Sequence, residues 1–559
     1  MLLKKSISLL VAGVVTLSLI TGCGTKNEEV SEQKEGTAQT EAVSVSEQGV
    51  LPIVDEPIEL TVMVAQNPAV TDYVDNKLTK YMEEKTNIKI NWEVIPSNDI
   101  GQKISLLLAS GKDLPDIFFG CITNDMITQY SSQNVFLPMN PYLDTQLGNF
   151  KNSLSRLSYA EDLLTAPDGN IYGFPTLSDF LHSKVSNKMW VNTQWLEAVG
   201  REVPTTTDEF RDMLIDFKEK DPNGNQQADE IPLVGCINDY NGGDGWNTDP
   251  ETFLINSFIQ YNPVSPYNID DEGKVIASFA QPEFREALKY INGLVDEGLI
   301  DATSYTQDNS QLKQLIESDT AVVGAFPVGA IATVTIMEGE RSKEYDCIAP
   351  LTGPEGVQLA AYGPYNDFKG KNLAVVSSSC KNPEAAFKWL DYFYSEDISL
   401  RARYGEENVD WVAPPEGTLG LNGEEAIIRP ILKYGEQQNC HYQNILYDIS
   451  DLVPRVERSE DPRESERYLY EKSIELYMPY VPEINNTMPP YLYTEDDAKA
   501  MSTVNSVLNS YMNESRVKFI TGVLDIEDDA TWENYLSELE KIGLQQVIDI
   551  MQARVDSAK

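Results

Sequence analysis

Histidine is nearly missing. His182 and His441 are the only two in 559 residues, which leaves Ser-His-Asp triads and multi-histidine metal centres almost nothing to build with. Cysteine is also sparse, six in all with no C-x-x-C. Beyond Cys23, the set Cys121, Cys236, Cys347, Cys380 and Cys440 is odd in number and neither a disulfide framework nor a zinc site; one or two bridges are open to an exported chain, and buried free thiols are the plainer reading. Cys440 and His441 are adjacent, a spacing that turns side chains apart, so they do not read as nucleophile and base. Basic residues are outnumbered, 43 Lys and Arg against 88 Asp and Glu, for a formal net charge of −45. A nucleic-acid partner needs a basic face and is excluded; the negative surface serves solubility. Long apolar runs are lacking after the leader. The uncharged stretch Ala321 to Met337 is only 17 residues and is broken by Gly324, Pro327 and Gly329, so it reads as a buried strand and turn, not a membrane span.

What is present begins with an export signal. Lys4 and Lys5 precede an apolar run from Leu9 to Ile20, and Ile20-Thr21-Gly22-Cys23 closes it with small residues ahead of one cysteine. The run is too short to span a bilayer, so cleavage is expected. The stretch resembles a bacterial lipoprotein signal, which implies that Cys23 is acylated and holds the mature chain at the outer face of the cell membrane. Gly24 to Gly49 contains no aromatic residue and is rich in Glu, Ser, Thr, Gln and Lys, a composition that cannot offset the entropy of ordering. Residues 23–50 are therefore expected to be a disordered tether.

From Leu51 the chain alternates short apolar runs with amphipathic helices, the α/β rhythm. Ile58 to Ala65 reads as a strand, Asp72 to Lys85 as a helix, Ile88 to Val94 as a strand and Gln102 to Ser110 as a helix. Gly111-Lys112-Asp113-Leu114-Pro115 stops that helix, and Asp116-Ile117-Phe118-Phe119 begins a third strand. The turn-rich Asp168 to Pro175 reads as a crossover, after which the rhythm restarts. Thr206-x-x-Glu209 is a capping box, followed by Phe210, Met213, Leu214 and Phe217 on one helical face. Asn382-Pro383 opens another helix with Ala386, Leu390 and Phe393 on its stripe. The tail from about Asp496 reads as helical.

Several blocks carry a family resemblance. Leu107-Leu108-Ala109-Ser110-Gly111-Lys112-Asp113-Leu114-Pro115-Asp116-Ile117 is similar to the helix-turn-strand element of bacterial extracellular solute-binding proteins of ABC importers. Asp168 to Pro175, Trp190 to Leu196, Val203 to Thr207, Glu297 to Asp301, Lys381 to Ala386 and Lys518 to Gly522 agree in order. Size and blocks most resemble the large lipoprotein branch with the alginate-binding proteins. The resemblance implies an α/β, two-lobe, periplasmic-binding-protein-like fold of type II. Residues 51–175 with 372–405 would form lobe one, and 176–371 with 406–559 lobe two. It implies a monomeric, non-catalytic receptor that closes around an oligosaccharide and delivers it to an ABC permease. Rival readings are a receptor for peptide or another polar solute, and a secreted glycoside hydrolase using two of the many carboxylates.

The sharpest local motif is Asp221-Pro222-Asn223-Gly224-Asn225-Gln226-Gln227-Ala228-Asp229-Glu230. Oxygens at alternate positions of a tight turn can converge on a hard cation, and Ca²⁺ takes about 6–8 of them. Asp221, Asn223, Asn225 and Asp229 supply four, and the Gln227 carbonyl with Glu230 could complete the shell. A helix should enter this loop and a strand leave it. A solvated polar turn is the plainer alternative; the resemblance to alginate-binding proteins implies a structural calcium ion. Sugar rings need flat apolar faces and polar groups for their hydroxyls. Trp411 follows Tyr404-Gly405-Glu406-Glu407, similar to a cleft segment of the family, and Trp246 ends a Gly-rich run. Trp411 and Trp246 are the candidate platforms, with Glu407, Tyr172 and Asn67 as further ligand contacts.

Overall fold

The computed structural model describes residues 43–178, 180–237, 246–336, 339–368, 372–432, 436–443 and 445–558. The leader, Cys23 and the tether up to Ala42 lie outside the described residues, as do Asn241 to Gly245 before Trp246.

Strands form where the apolar periodicity places them. β1 (Ile58–Ala65) and β2 (Ile88–Ile95) pair in parallel, from Ile58 opposite Ile88 to Ala65 opposite Ile95. β2 alternates buried Ile88, Ile90 and Trp92 with exposed Lys89 and Asn91, as an edge strand with one covered face does. β1 lies inside the sheet and is buried without a break from Val62 to Val64, the pattern of a strand covered on both faces. Helices Lys77–Thr86 and Ile100–Ser110 make the crossovers, each ending on a left-handed residue, Asn87 and Gly111. β3 (Ile117–Ile122) and β4 (Gly173–Phe174) continue this half. The second half supplies β5 (Met189–Asn192), β6 (Ile231–Leu233), the hairpin of β7 (Tyr267–Ile269) and β8 (Val275–Ala277), β9 (Val323–Pro327) and β10 (Tyr345–Ile348). β11 (Leu373–Val376) then rejoins the first sheet, and β12 (Trp411–Val412) with β13 (Arg429–Pro430) makes a short ribbon. The two main sheets run β2-β1-β3-β11-β4 and β10-β5-β9-β6.

Each sheet builds its own core. Phe119, Phe174, Trp389 and Phe393 belong to the first, and Trp190, Phe210, Phe217 and Phe326 to the second. The capping box at Thr206 and Glu209 is formed in both directions, and Phe210, Met213, Leu214 and Phe217 of its helix are buried. Helices Glu495–Ile520, Asp529–Ile542 and Leu544–Ala558 extend the second core through Phe519, Leu539 and Val547. The chain passes between the halves after β4, after β10 and after Val456. Among the described residues no helix is long and apolar enough to cross a membrane. The five described cysteines are free.

Two boundaries differ from the sequence expectation. The tether was expected to run to residue 50, yet Val43 and Val45 pack on the first core and Val45 bridges Val54. The cause is Lys388, whose Nζ donates to Ser46 O at 2.9 Å, Ser46 Oγ at 2.6 Å and Glu47 O at 2.6 Å. Residues 406–456 were assigned to lobe two, yet Trp411, Ile428, Tyr442, Ile449 and Val456 share the first core. Tyr442 explains it: its ring packs against Tyr73, Trp92 and Phe119 of that half, and its hydroxyl meets Thr79 Oγ1 at 2.8 Å.

Candidate functional site

Where the halves meet, four distant segments converge on Arg403. The first follows β4: helix Leu181–Lys184 is entered through Phe180, and Leu177 N–H donates to Tyr447 O at 2.8 Å. Buried Lys188 fastens the turn, donating from Nζ to Val185 O at 2.7 Å and His182 O at 3.3 Å. Phe180 and His182 lie with ring centroids 5.4 Å apart, and His182 meets the half-buried Trp246 at 6.0 Å and 73°. Helix Glu396–Tyr404 brings the second segment, placing the Arg403 guanidinium 5.5 Å from the Phe180 centroid and 5.3 Å from that of Tyr404, within cation–π range. The third is the loop at His441, where Gln438 Oε1 accepts from Cys440 N–H at 2.6 Å and His441 N–H at 3.0 Å. The fourth is Glu466, in the first turn of helix Ser465–Lys472 from the second half.

The electrostatics follow from burial around one cation. Burial, with the charges of Lys188 and Arg403, takes His182 down to about 3. Burial and Arg403 outweigh Asp410 and take His441 down to about 4. Both rings are therefore neutral near pH 7. Gln443 N–H donates to His441 Nδ1 at 3.1 Å, so that nitrogen is the acceptor and the ring proton is assigned to Nε2. Burial raises Glu466 against the pull of Arg403. Cys440 beside His441 is pushed up to about 12, by burial first and then by Asp410, which keeps it a thiol rather than a nucleophilic thiolate. Neutral imidazoles, a guanidinium and aromatic faces form a set suited to hydroxyls and C–H surfaces. A surface hollow of about 780 Å³ lies between the β7–β8 hairpin and the last two helices, but its walls all belong to the second half. A ligand there could not join the two.

The proposed ligand residues separate. Trp246 joins the Arg403 cluster. Trp411 is 7% exposed, lies in the first core and donates from Nε1 to Gly405 O at 3.1 Å, so its indole is a core ring rather than an open platform. With exposed Glu407, Arg401 and Asp397 it edges a different hollow of about 290 Å³. Tyr172 is 3% exposed and donates to Asp168 Oδ2 at 2.5 Å. Asn67 closes a turn after β1, its Oδ1 accepting from Ala69 N–H at 2.9 Å. Phe180, His182, Arg403 and His441 were missed. The scarcity of histidine could have drawn attention to the pair, although nothing in the pattern brings 182 and 441 together.

The loop Asp221 to Glu230 runs from helix Thr207–Glu219 to β6, with left-handed Asp221, Gly224 and Gln226. Asp221 Oδ2 accepts from Gln226 N–H at 3.1 Å, Asn223 Oδ1 from Asn225 N–H at 3.0 Å, and Asn225 Oδ1 from Gln227 N–H at 2.7 Å. The amides of Asn223 and Asn225 donate to Asp229. Asp221 Oδ1 and Glu230 Oε1 are buried without a hydrogen-bond partner, and burial with the charges of Asp229 and Asp221 raises the Glu230 carboxyl. Among the described residues no three His, Cys, Asp or Glu side chains are grouped closely enough to hold a metal by themselves. The donor set here is mixed, carboxylates with amide and backbone carbonyls, and the two orphaned carboxylate oxygens of Asp221 and Glu230 fit a hard divalent cation.

Comparison with known proteins agrees with this architecture. The sequence model for the bacterial extracellular solute-binding protein family matches residues 66–398. The fructooligosaccharide ABC transporter substrate-binding protein FusA of Streptococcus pneumoniae is 28% identical over 99% of this chain and 98% of its own. The FusA structure in complex with kestose superposes with a TM-score of 0.69 at 24% identity, over 90% of this chain and 99% of that one; a further FusA structure is an EF-hand mutant in complex with fructo-nystose. The HMO-binding solute-binding protein of Bifidobacterium longum infantis reaches 0.74 at 22% identity over 90% and 99% of the two chains. Alginate-binding protein AlgQ2 without calcium ion reaches 0.62 at 21% over 90% and 98%. These structural likenesses show the fold, two lobes of mixed α/β structure.

Proposed function

The chain belongs to the bacterial extracellular solute-binding proteins, and from that premise we propose that it captures an oligosaccharide at the Arg403 cluster and delivers it, unaltered, to the permease of an ABC importer. The observation that carries this reading is the origin of the cluster. Phe180 and Arg403 come with the first half, with the buried His441 beside the guanidinium, and Trp246 and Glu466 with the second, so a ligand touching both favours their closed arrangement by its differential affinity. FusA, a relative over nearly the whole chain, is a fructooligosaccharide-binding protein with a kestose complex, which makes short fructooligosaccharides the first cargo to try. Cys23 is the lipid attachment point, leaving the monomeric receptor on the outer face of the membrane behind a tether that ends near Ala42. The loop of Asp221, Asn223, Asn225, Gln227, Asp229 and Glu230 holds a structural Ca²⁺, a reading supported by its orphaned oxygens.

The test is a thermal-shift panel of fructooligosaccharides, milk oligosaccharides, oligouronates and peptides, with analysis of each compound afterwards. A cognate sugar at 100 times its Kd should stabilise the fold by about 2.7 kcal/mol and be recovered intact. Stabilisation by peptides alone would replace the cargo, and cleavage of the sugar would restore the hydrolase reading.

A further inference from the structure

We propose that Gly329 is the positioning residue of Trp246, a floor whose missing Cβ sets where the indole stands in the ligand site. The backbone here is fixed from several sides. Val328, just after β9, donates its N–H to Lys188 O at 2.9 Å, and its own carbonyl accepts from Trp190 Nε1 at 2.9 Å. Gly329 N–H then donates to Trp246 O at 2.8 Å. A Cβ on Gly329 would lie 2.5 Å from Trp246 Cδ2, 2.6 Å from Cε3 and 2.9 Å from Cε2. Real Cβ contacts do not come that close. The order of those atoms identifies the contact: Cδ2 is a ring-fusion carbon bonded to both others, and only approach through the face of the ring meets it first with its two neighbours beside it. One face of the indole therefore rests on Gly329.

Conformation does not require glycine here. Unlike Gly120 or Gly405, Gly329 has no φ in the left-handed range, so an alanine could adopt its backbone without strain. What excludes the alanine is the indole. Trp246 rests on this floor, meets the His182 ring 6.0 Å away at 73°, and stays half-buried, with surface left for a ligand. Adding one methyl lifts the indole off the floor and changes the stacking wall without touching the core of either half.

The consequence for binding rests on the oligosaccharide reading; the Gly329–Trp246 contact does not, and the experiment reads the two separately. The protein is prepared with fluorotryptophan, and Trp246→Phe assigns the resonance of position 246 among the seven tryptophans. Gly329→Ala should move that resonance and leave the other six in place. With kestose as the probe, Gly329→Ala should raise Kd about three- to ten-fold, the range of a lost aromatic contact, with little change in apo melting temperature. In a Trp246→Ala background, which removes the clash, Gly329→Ala should fold normally and have no further effect on Kd. An unmoved resonance overturns the proposal whatever binds. So does a Gly329→Ala penalty of the same size in the Trp246→Ala background. If kestose and the rest of the panel fail on the parent protein while the resonance still moves, the cargo reading falls and the positioning role stands.

Discussion

The loop at Asp221 and the cluster at Arg403 are both polar sites, built on opposite plans. The loop is ten consecutive residues between one helix and one strand of the second half, and its turns are closed by its own Asp and Asn side chains. The cluster draws Phe180, Trp246, Arg403, His441 and Glu466 from both halves, and none of the five neighbours another in sequence. A local site keeps its shape whatever the halves do. An assembled one exists only in the arrangement that assembles it, so it is the one able to sense closure.

The largest effect expected from this difference concerns Trp411, which lies on the local side. Its indole is tied to Gly405 within a single turn after helix Glu396–Tyr404. Trp411→Ala removes a large buried ring and should cost about 3–5 kcal/mol of apo stability in denaturant unfolding, while folded protein binds kestose as the parent does. A weakened affinity with unchanged stability would put Trp411 in the ligand site and blur the distinction.

A smaller effect tests the loop itself. If Ca²⁺ binds the native loop only, 100-fold excess over its Kd contributes about 2.7 kcal/mol, and chelation should lower the melting temperature accordingly. Asp221→Ala with Asp229→Ala should abolish the response to chelator and to added calcium. Sugar affinity, measured on protein kept below its melting temperature, should not change. A calcium-insensitive melt of the parent would leave a solvated turn; loss of sugar binding on chelation would show that the two sites are coupled after all.

The same contrast governs what could be read before any coordinates. Periodic segments were legible, β1 to the residue and the helix behind Thr206 with its cap, because alternation and capping are local rules. The loop was legible for the same reason. Residues 406–456 were not: they contain little but turns and the β12–β13 ribbon, and their attachment to the first half depends on Tyr442 finding Tyr73, Trp92 and Phe119 across the fold. Trp411 and Trp246 both stand in polar, turn-rich sequence. Only packing separates them, one indole folded back onto its own turn and the other laid on Gly329. Arg403 reads in sequence as an ordinary cation at the end of a helix; that two histidines and a glutamate face it is a long-range fact.

The effect that is smallest per histidine and per pH unit asks whether the cluster's two imidazoles stay neutral beside Arg403. His182 and His441 fall to about 3 and about 4 in the folded protein, against about 6.5 unfolded. Between those values the unfolded chain takes up protons that the folded protein refuses, so their contribution is fully present above pH 6.5 and is lost as pH falls towards 4 and 3. Asp391 and Glu251 act in the opposite sense over part of the same window, since burial raises them to about 6 and about 7 and their contribution falls as pH rises. The parent curve therefore mixes both signs. Subtracting the curve of a His182→Gln, His441→Gln variant removes the acids from the comparison. The difference should grow as pH drops from 6.5 to 5, by at most about 1 kcal/mol per histidine per pH unit, and kestose affinity of the parent should be flat from pH 5 to 8. A difference curve with no slope in that window would mean that both rings titrate normally, and an affinity that changes near pH 6.5 in the parent but not in the double variant would mean that an imidazole of the site takes up a proton beside Arg403.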